Sequence, residues 1–208
     1  MKEVAKALLE IKAVFLSPDK PFTWASGIKS PIYCDNRLIL SYPKIRRMIE
    51  KEFASLVKKE FPNCELLMGT ATAGIPHAAY ISEILDLPMG YVRSSSKDHG
   101  RNNQIEGKYE KGQKIVVIED LISTGKSSIE VVNTLIEAGV IVLGIVSIFT
   151  YELEKAKNNF ESINIKTVSL TNYSELVEVA VKEKYITSDS MEKLVKWRKD
   201  PSDESWML

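Results

Sequence analysis

The run Val140-Ile-Val-Leu-Gly-Ile-Val-Ser-Ile-Phe149 carries no charge and is dominated by β-branched side chains. It is too apolar for an exposed helix and too short for the roughly 20 residues of a membrane span, so it predicts a strand buried on both faces. Strands covered on both sides belong to parallel sheets with helical crossovers. The sequence around it keeps that beat. Leu66-Leu-Met68 precedes the small-residue loop Gly69-Thr-Ala-Thr-Ala-Gly74 and a helical stretch to Leu85, and Met89-Gly-Tyr-Val92 is a further apolar run. Ile115-Val-Val-Ile118 precedes Glu119-Asp-Leu-Ile-Ser-Thr-Gly-Lys-Ser127 and a helix carrying Ile129, Val132, Leu135 and Ile136, closed by Gly139. The expected fold class is α/β, a central parallel sheet flanked by helices.

Outside this beat the signals are more local. Val4, Leu8, Ile11 and Phe15 predict an amphipathic helix over residues 2 to 16, ended near Ser17-Pro18. Phe22 to Arg37 is irregular and reads as loop or short strands; beyond Pro43, Ile45, Met48, Ile49, Phe53 and Val57 predict a second helix. Ile163 to Leu170 reads as one more strand, and Ser174 to Lys184 and Ser188 to Arg198 as helices. A length of 208 residues without repeat or linker implies one domain.

Lys and Arg number 28 against 28 Asp and Glu, so no global field holds nucleic acid or an anionic membrane. Any polyanion must be met by a local site. The opening Met1-Lys-Glu-Val-Ala-Lys is too charged for a signal peptide, and a cytoplasmic protein is expected. Cys34 and Cys64 lack metal-ligand spacing and predict reduced thiols.

In a parallel sheet the ligand crevice lies beyond the carboxyl ends of the strands, which directs attention to the residues after Ile118. Ser123, Thr124, Gly125 and Ser127 bring hydroxyls, a bare backbone and a helix N-terminus together, a setting for phosphate. Gly125-Lys126-Ser127 ends like a nucleotide-triphosphate loop, but the glycine required five residues earlier is Asp120. Glu119 and Asp120 repel phosphate; beside a phosphate cradle they suit sugar hydroxyls, which donate to carboxylates. A further segment, Tyr91 to Gly107, has no aliphatic or aromatic residue between Ser94 and Gln104 and gathers Arg93, Lys97, His99 and Arg101 against the single acid Asp98. It predicts a cationic lid. His77 falls in a predicted helix and reads as packing.

A hydrophobic strand, two acids, two aliphatics and then Ser-Thr-Gly resemble the signature of the type I phosphoribosyltransferases. Phe22-Thr-Trp-Ala-Ser-Gly-Ile-Lys-Ser-Pro-Ile-Tyr-Cys-Asp-Asn-Arg37 resembles the N-terminal motif of the orotate-specific members, Lys97-Asp-His-Gly100 their lid, and Gly69 to Pro76 their diphosphate loop. The resemblance implies the type I phosphoribosyltransferase fold, with a core over about 41–169 and a small hood from segments 1–40 and 170–208. It implies transfer of the phosphoribosyl group from 5-phosphoribosyl 1-diphosphate to orotate, giving orotidine 5′-monophosphate in pyrimidine synthesis. By the same resemblance Glu119 and Asp120 hold the ribose hydroxyls, and Leu121, Ile122, Ser123, Thr124, Gly125, Lys126 and Ser127 form the 5′-phosphate loop. Arg93, Lys97 and His99 contact the diphosphate. Lys97 and Asp120 are the expected catalytic residues, and Ser123, Lys29 and Tyr33 the orotate contacts, with Ser30 beside them.

Mg²⁺ is expected to be held mainly through the substrate, with no metal site of the protein's own. A homodimer with shared active sites is expected, and neither nucleic acid nor membrane as partner. The alternatives are a phosphoribosyltransferase for another nucleobase and a non-catalytic nucleic-acid-binding regulator of the same fold. The chain departs from some bacterial members at Ala25, Thr72-Ala73 and Phe149-Thr-Tyr-Glu152, where they carry Lys, Tyr-Lys and Arg; no role is assigned there.

Overall fold

The computed structural model describes residues 2–24, 27–93 and 104–207. Helix α1 (Lys2–Glu10) is followed by strands β1 (Val14–Leu16), β2 (Phe22–Thr23), β3 (Lys29–Ser30) and β4 (Ile32–Cys34), and then by a 3₁₀ turn over Asn36–Ser41. Next come α2 (Pro43–Glu60), β5 (Leu66–Thr70), α3 (Gly74–Leu85), β6 (Met89–Val92) and β7 (Ile105–Glu106). The chain continues through β8 (Lys114–Ile122), α4 (Lys126–Glu137), β9 (Ile141–Thr150), α5 (Glu154–Ser162), β10 (Thr167–Asn172), α6 (Tyr173–Lys182) and α7 (Ser190–Lys199).

The central sheet runs β10-β9-β8-β5-β6-β7, parallel throughout except for the edge pair of β6 with β7. Its middle is apolar on both faces: Val116, Ile118, Val146 and Ile148 pack in the larger core with α1, α2 and α3, while Ile115, Val117 and Ile145 pack in a second core with α4 and α5. The buried-strand reading of Val140 to Phe149 is thereby realised as β9.

The first helix is shorter than its apolar spacing suggests. Lys12 adopts a left-handed φ of 56°, Ala13 N–H returns to Leu8 C=O at 2.9 Å, and Val14–Leu16 leaves as a strand paired antiparallel with Ile32–Cys34. Long-range pairing wins there over helical periodicity, and Phe15, which the period places on the apolar face, is exposed. The last strand also sits later than the apolar run. It spans Thr167–Asn172, because α5 and the turn at Asn164 take up Ile163 and Ile165. The irregular stretch from Phe22 resolves into two small antiparallel pairs, β2 with β3 and β1 with β4.

The two ends of the chain meet above the sheet. Trp197 of α7 is fully buried, and its Nε1–H donates to Lys29 C=O at 2.9 Å. Around it stand Trp24, Tyr151 and Tyr173, with ring centroids 5.5 to 6.1 Å from its own. Among the described residues no helix is long and apolar enough to cross a membrane.

Candidate functional site

Strand β8 extends past its apolar run to Ile122, so Glu119 and Asp120 lie in the strand and not in the turn after it. Its pairing with β5 stops at Gly69–Ile118, while β9 accompanies it to Ile122. The two acids thus stand where one neighbouring strand has ended, at the mouth of a cavity of about 290 Å³. Thr70 to Ala73, Arg93, Glu119, Asp120, Leu121 and Ser127 line it.

The acids differ in their surroundings. Glu119 is buried, and both its oxygens have protein donors: Oε1 accepts from Thr70 Oγ1 at 2.7 Å and from Asp120 N–H at 3.0 Å, and Oε2 accepts from Ser128 Oγ at 2.9 Å. It ties β5, β8 and α4 together. Asp120 is partly open to the crevice. Burial, followed by the neighbouring Glu119 charge and a hydrogen bond to Glu119, raises its pKa to about 7, with His77 pulling the other way.

The turn after β8 is tight and closely packed. Gly125 takes φ +76°, and a Cβ there would meet the Phe160 ring at 2.6 Å, so both the backbone and the space require glycine. Asn159 Nδ2 donates to Thr124 C=O at 3.0 Å and pins the turn from α5. No side chain caps the first turn of α4, which leaves its N–H groups and the positive end of its dipole available to an anion. The opposite wall is built in the same way. The first turn of α3 lies so close to β8 that a Cβ on Gly74 would stand 2.3 Å from Ile118 C=O, and α3 has no side-chain cap either. The Ala71–Thr72 peptide is cis, and Ala71 N–H donates to Val92 C=O at 2.9 Å.

The structure does not bring all the sequence-predicted residues together. Glu119, Asp120, Leu121, Ser127 and Arg93 come together around one crevice. Ile122 is buried with Phe160 and Ala156 in the smaller core, so its side chain faces away and only its backbone belongs to the loop. Thr124 lines a different cavity of about 350 Å³, together with Trp24, Ile28, Lys155 and Lys199. Lys29 and Tyr33 sit on β3 and β4 outside the crevice lining; Lys29 Nζ donates to Thr23 Oγ1 at 2.8 Å, and the Tyr33 ring lies 5.8 Å from that of Phe22. Lys97 and His99, together with Ser26 of the N-terminal motif, lie outside the described residues.

Several residues of the site have no sequence signal as strong as the acids. Thr70 and Ser128 hold Glu119, Asn159 holds the turn, and Asn36 Nδ2 donates to Asp120 C=O at 2.7 Å. His77 is buried in α3 with Nδ1 2.6 Å from Glu50 Oε1 of α2. Burial pushes the Glu50 carboxyl up, while His77 and Arg46 pull it down. A hydroxyl at the end of an apolar strand, as at Thr70, or in the first turn of the helix after the acids, as at Ser128, is the one cue that sequence offers for these two.

The central parallel sheet thus brings paired acids at the end of β8 and an uncapped helix N-terminus behind a glycine turn to one end of the strand. Residues 38–184 match the phosphoribosyl transferase domain, and the chain belongs to that family. Within it, the chain is 60% identical over 205 residues to the orotate phosphoribosyltransferase of Listeria monocytogenes serotype 4b, covering 99% of this chain and 97% of that one. It is equally 60% identical over 206 residues to the orotate phosphoribosyltransferase of Bacillus cereus strain G9842, covering 99% and 98%. The crystal structure of orotate phosphoribosyltransferase from Aeropyrum pernix superposes with a TM-score of 0.76 at 26% identity, over 88% of this chain and 99% of that one.

Proposed function

We propose that this chain transfers the 5-phosphoribosyl group from 5-phosphoribosyl 1-diphosphate to N1 of orotate, releasing diphosphate and giving orotidine 5′-monophosphate for pyrimidine synthesis. The observation that carries this reading is the continuity of Glu119 to Ser127, acids at the strand end followed by a glycine turn into an uncapped helix. The extended likeness to relatives that bear that activity in their names supports it.

The 5′-phosphate sits against residues 123–127, where the uncapped N-terminus of α4 offers backbone N–H groups to an anion. Asp120 accepts from a ribose hydroxyl, and Glu119, already held by Thr70 and Ser128, keeps the local charge negative where positive charge builds up on the sugar. The bond from C1 to the diphosphate breaks as N1 of orotate bonds to C1. The chain's work is to align the two and to stabilise a cationic sugar and an anionic leaving group. Arg93 lines the crevice on the diphosphate side. Lys97 and His99 meet the diphosphate from the lid of the neighbouring subunit in a homodimer with shared sites. Lys29, Tyr33 and Ser123 serve the base, and segments 1–40 and 170–208 form the hood above it; Ser30, fully buried with its Oγ donating to Ile32 C=O at 2.8 Å, holds the backbone between β3 and β4 instead.

Among the described residues no three His, Cys, Asp or Glu side chains gather as a cage for a metal. Mg²⁺ would be held mainly by the diphosphate and hydroxyls of the substrate, whose hard oxygens suit it, and would offset the charge of the leaving group. The reaction is placed in the cytoplasm. Mixing protein, orotate, the sugar diphosphate and Mg²⁺ and following the loss of orotate absorbance tests the reading. No loss with orotate, but turnover of uracil or a purine base, would reassign the substrate. Salt-sensitive retention of nucleic acid on a filter, without turnover of any base, would replace the enzyme by a regulator.

A further inference from the structure

Where β5 stops pairing at Ile118, the main chain of β8 needs another partner on that side, and the structure supplies a side chain. Asn36, at the start of the 3₁₀ turn that follows β4, is 1% exposed. Its Nδ2 donates to Asp120 C=O at 2.7 Å, and its Oδ1 accepts from Cys34 Sγ at 3.3 Å. The turn that carries it is itself fixed. Asp35 N–H donates to Ala13 C=O at 2.7 Å, and the Asp35 carboxylate holds both the Arg37 backbone and its guanidinium. Asn36 therefore reaches β8 from a rigid base and replaces a missing ladder bond at the acid that faces the sugar.

We propose that Asn36 is a positioning residue for the transfer: its amide fixes the Asp120 main chain and links the β3–β4 segment that carries Lys29 and Tyr33 to the sugar-binding acid. The inference rests on the proposed phosphoribosyl transfer. Chemically it needs a buried donor at that place. A carbonyl left unpaired at 119–122, on a strand with one free edge, lets the acid drift from where the sugar hydroxyl must meet it. A role in folding alone predicts a lower melting temperature and unchanged chemistry on whatever protein is folded.

The test compares Asn36→Ala and Asn36→Leu with the unmodified chain, per folded molecule and well below the melting temperature. Asn36→Leu keeps the approximate size and removes the donor without adding a charge. Both variants are expected to bind ribose 5-phosphate about tenfold more weakly by calorimetry and to lose about tenfold in kcat, with the KM for orotate changed less than twofold. Ribose 5-phosphate affinity and kcat within twofold of the unmodified chain in either variant overturn the inference. If Asn36→Ala does not accumulate folded, Asn36→Ser is measured by the same two readouts and the same limits. Ribose 5-phosphate binding requires no base, so a chain that fails to consume orotate but shows the tenfold loss refutes the substrate and retains Asn36.

Discussion

The crevice at the end of β8 and the cluster around Trp197, which the proposed reading makes the sugar site and the hood over the base, are built from opposite kinds of sequence. The crevice is built from contiguous chain: strand end, glycine turn and helix N-terminus follow one another from Glu119 to Ser127. The hood is assembled from the two ends, with Trp197 bonded to Lys29 across 168 positions and packed among Trp24, Tyr151 and Tyr173. In the proposed reading, local geometry carries sugar and phosphate recognition, and long-range packing carries the roof over the base. The two regions should therefore fail in different ways when cut.

The largest effect is expected in the hood. Trp197→Ala removes a fully buried indole and its hydrogen bond, and should lower unfolding stability by about 3–5 kcal/mol in a denaturant titration. On protein that remains folded, the KM for orotate should rise while ribose 5-phosphate affinity stays within about twofold. A parallel loss of both affinities would erase the distinction between the regions.

Next in size is Lys97→Ala. Loss of a cation at the leaving group should lower kcat by about 10²–10³-fold with the thermal transition unmoved. Unchanged turnover would remove Lys97 from the mechanism. Gly125→Ala sharpens the comparison from the crevice side. The left-handed backbone costs about 1–2 kcal/mol for an L side chain, and the added Cβ drives against Phe160. Ribose 5-phosphate binding should weaken at least about tenfold by calorimetry, a drop of the same size as that strain, while orotate affinity is nearly preserved.

The same contrast explains what could be read from the residues. The alternation of apolar runs, small-residue loops and helices gives β5, β6, β8 and β9 and the turn into α4, because each depends on its own few residues. Strand β1 was hidden inside a helical period because its partner, Ile32–Cys34, lies in another segment. Thr70, Ser128, Asn159 and Asn36 were hidden for a related reason: a hydroxyl or amide has no periodicity, and its meaning comes from an acceptor up to 84 positions away. The adjacency of the two acids is plain in the sequence, but their inequality is not. Which of two adjacent carboxylates is tied down depends on Thr70 and Ser128, on other elements.

That inequality gives the smallest and most specific prediction. Burial comes first, then the charge and hydrogen bond of Glu119, in raising Asp120 to about 7; His77 from α3 opposes them, and Cys34 and Arg37 from the hood side also face it. An ionised Asp120 accepts from a sugar hydroxyl more strongly than a protonated one, so kcat/KM for the sugar diphosphate should fall as pH drops below about 7. The linkage to stability has the opposite sense. Between its ordinary value of 3.8 and about 7 the folded chain holds a proton on Asp120 that the unfolded chain has lost, so this group makes the fold less stable as pH rises through that window. Glu119→Gln removes the neighbouring charge and should move the acid limb of kcat/KM to lower pH, in the direction opposite to His77→Gln. A pH–rate series on the three proteins reads both shifts, and limbs that coincide would mean that Asp120 is not the group that titrates.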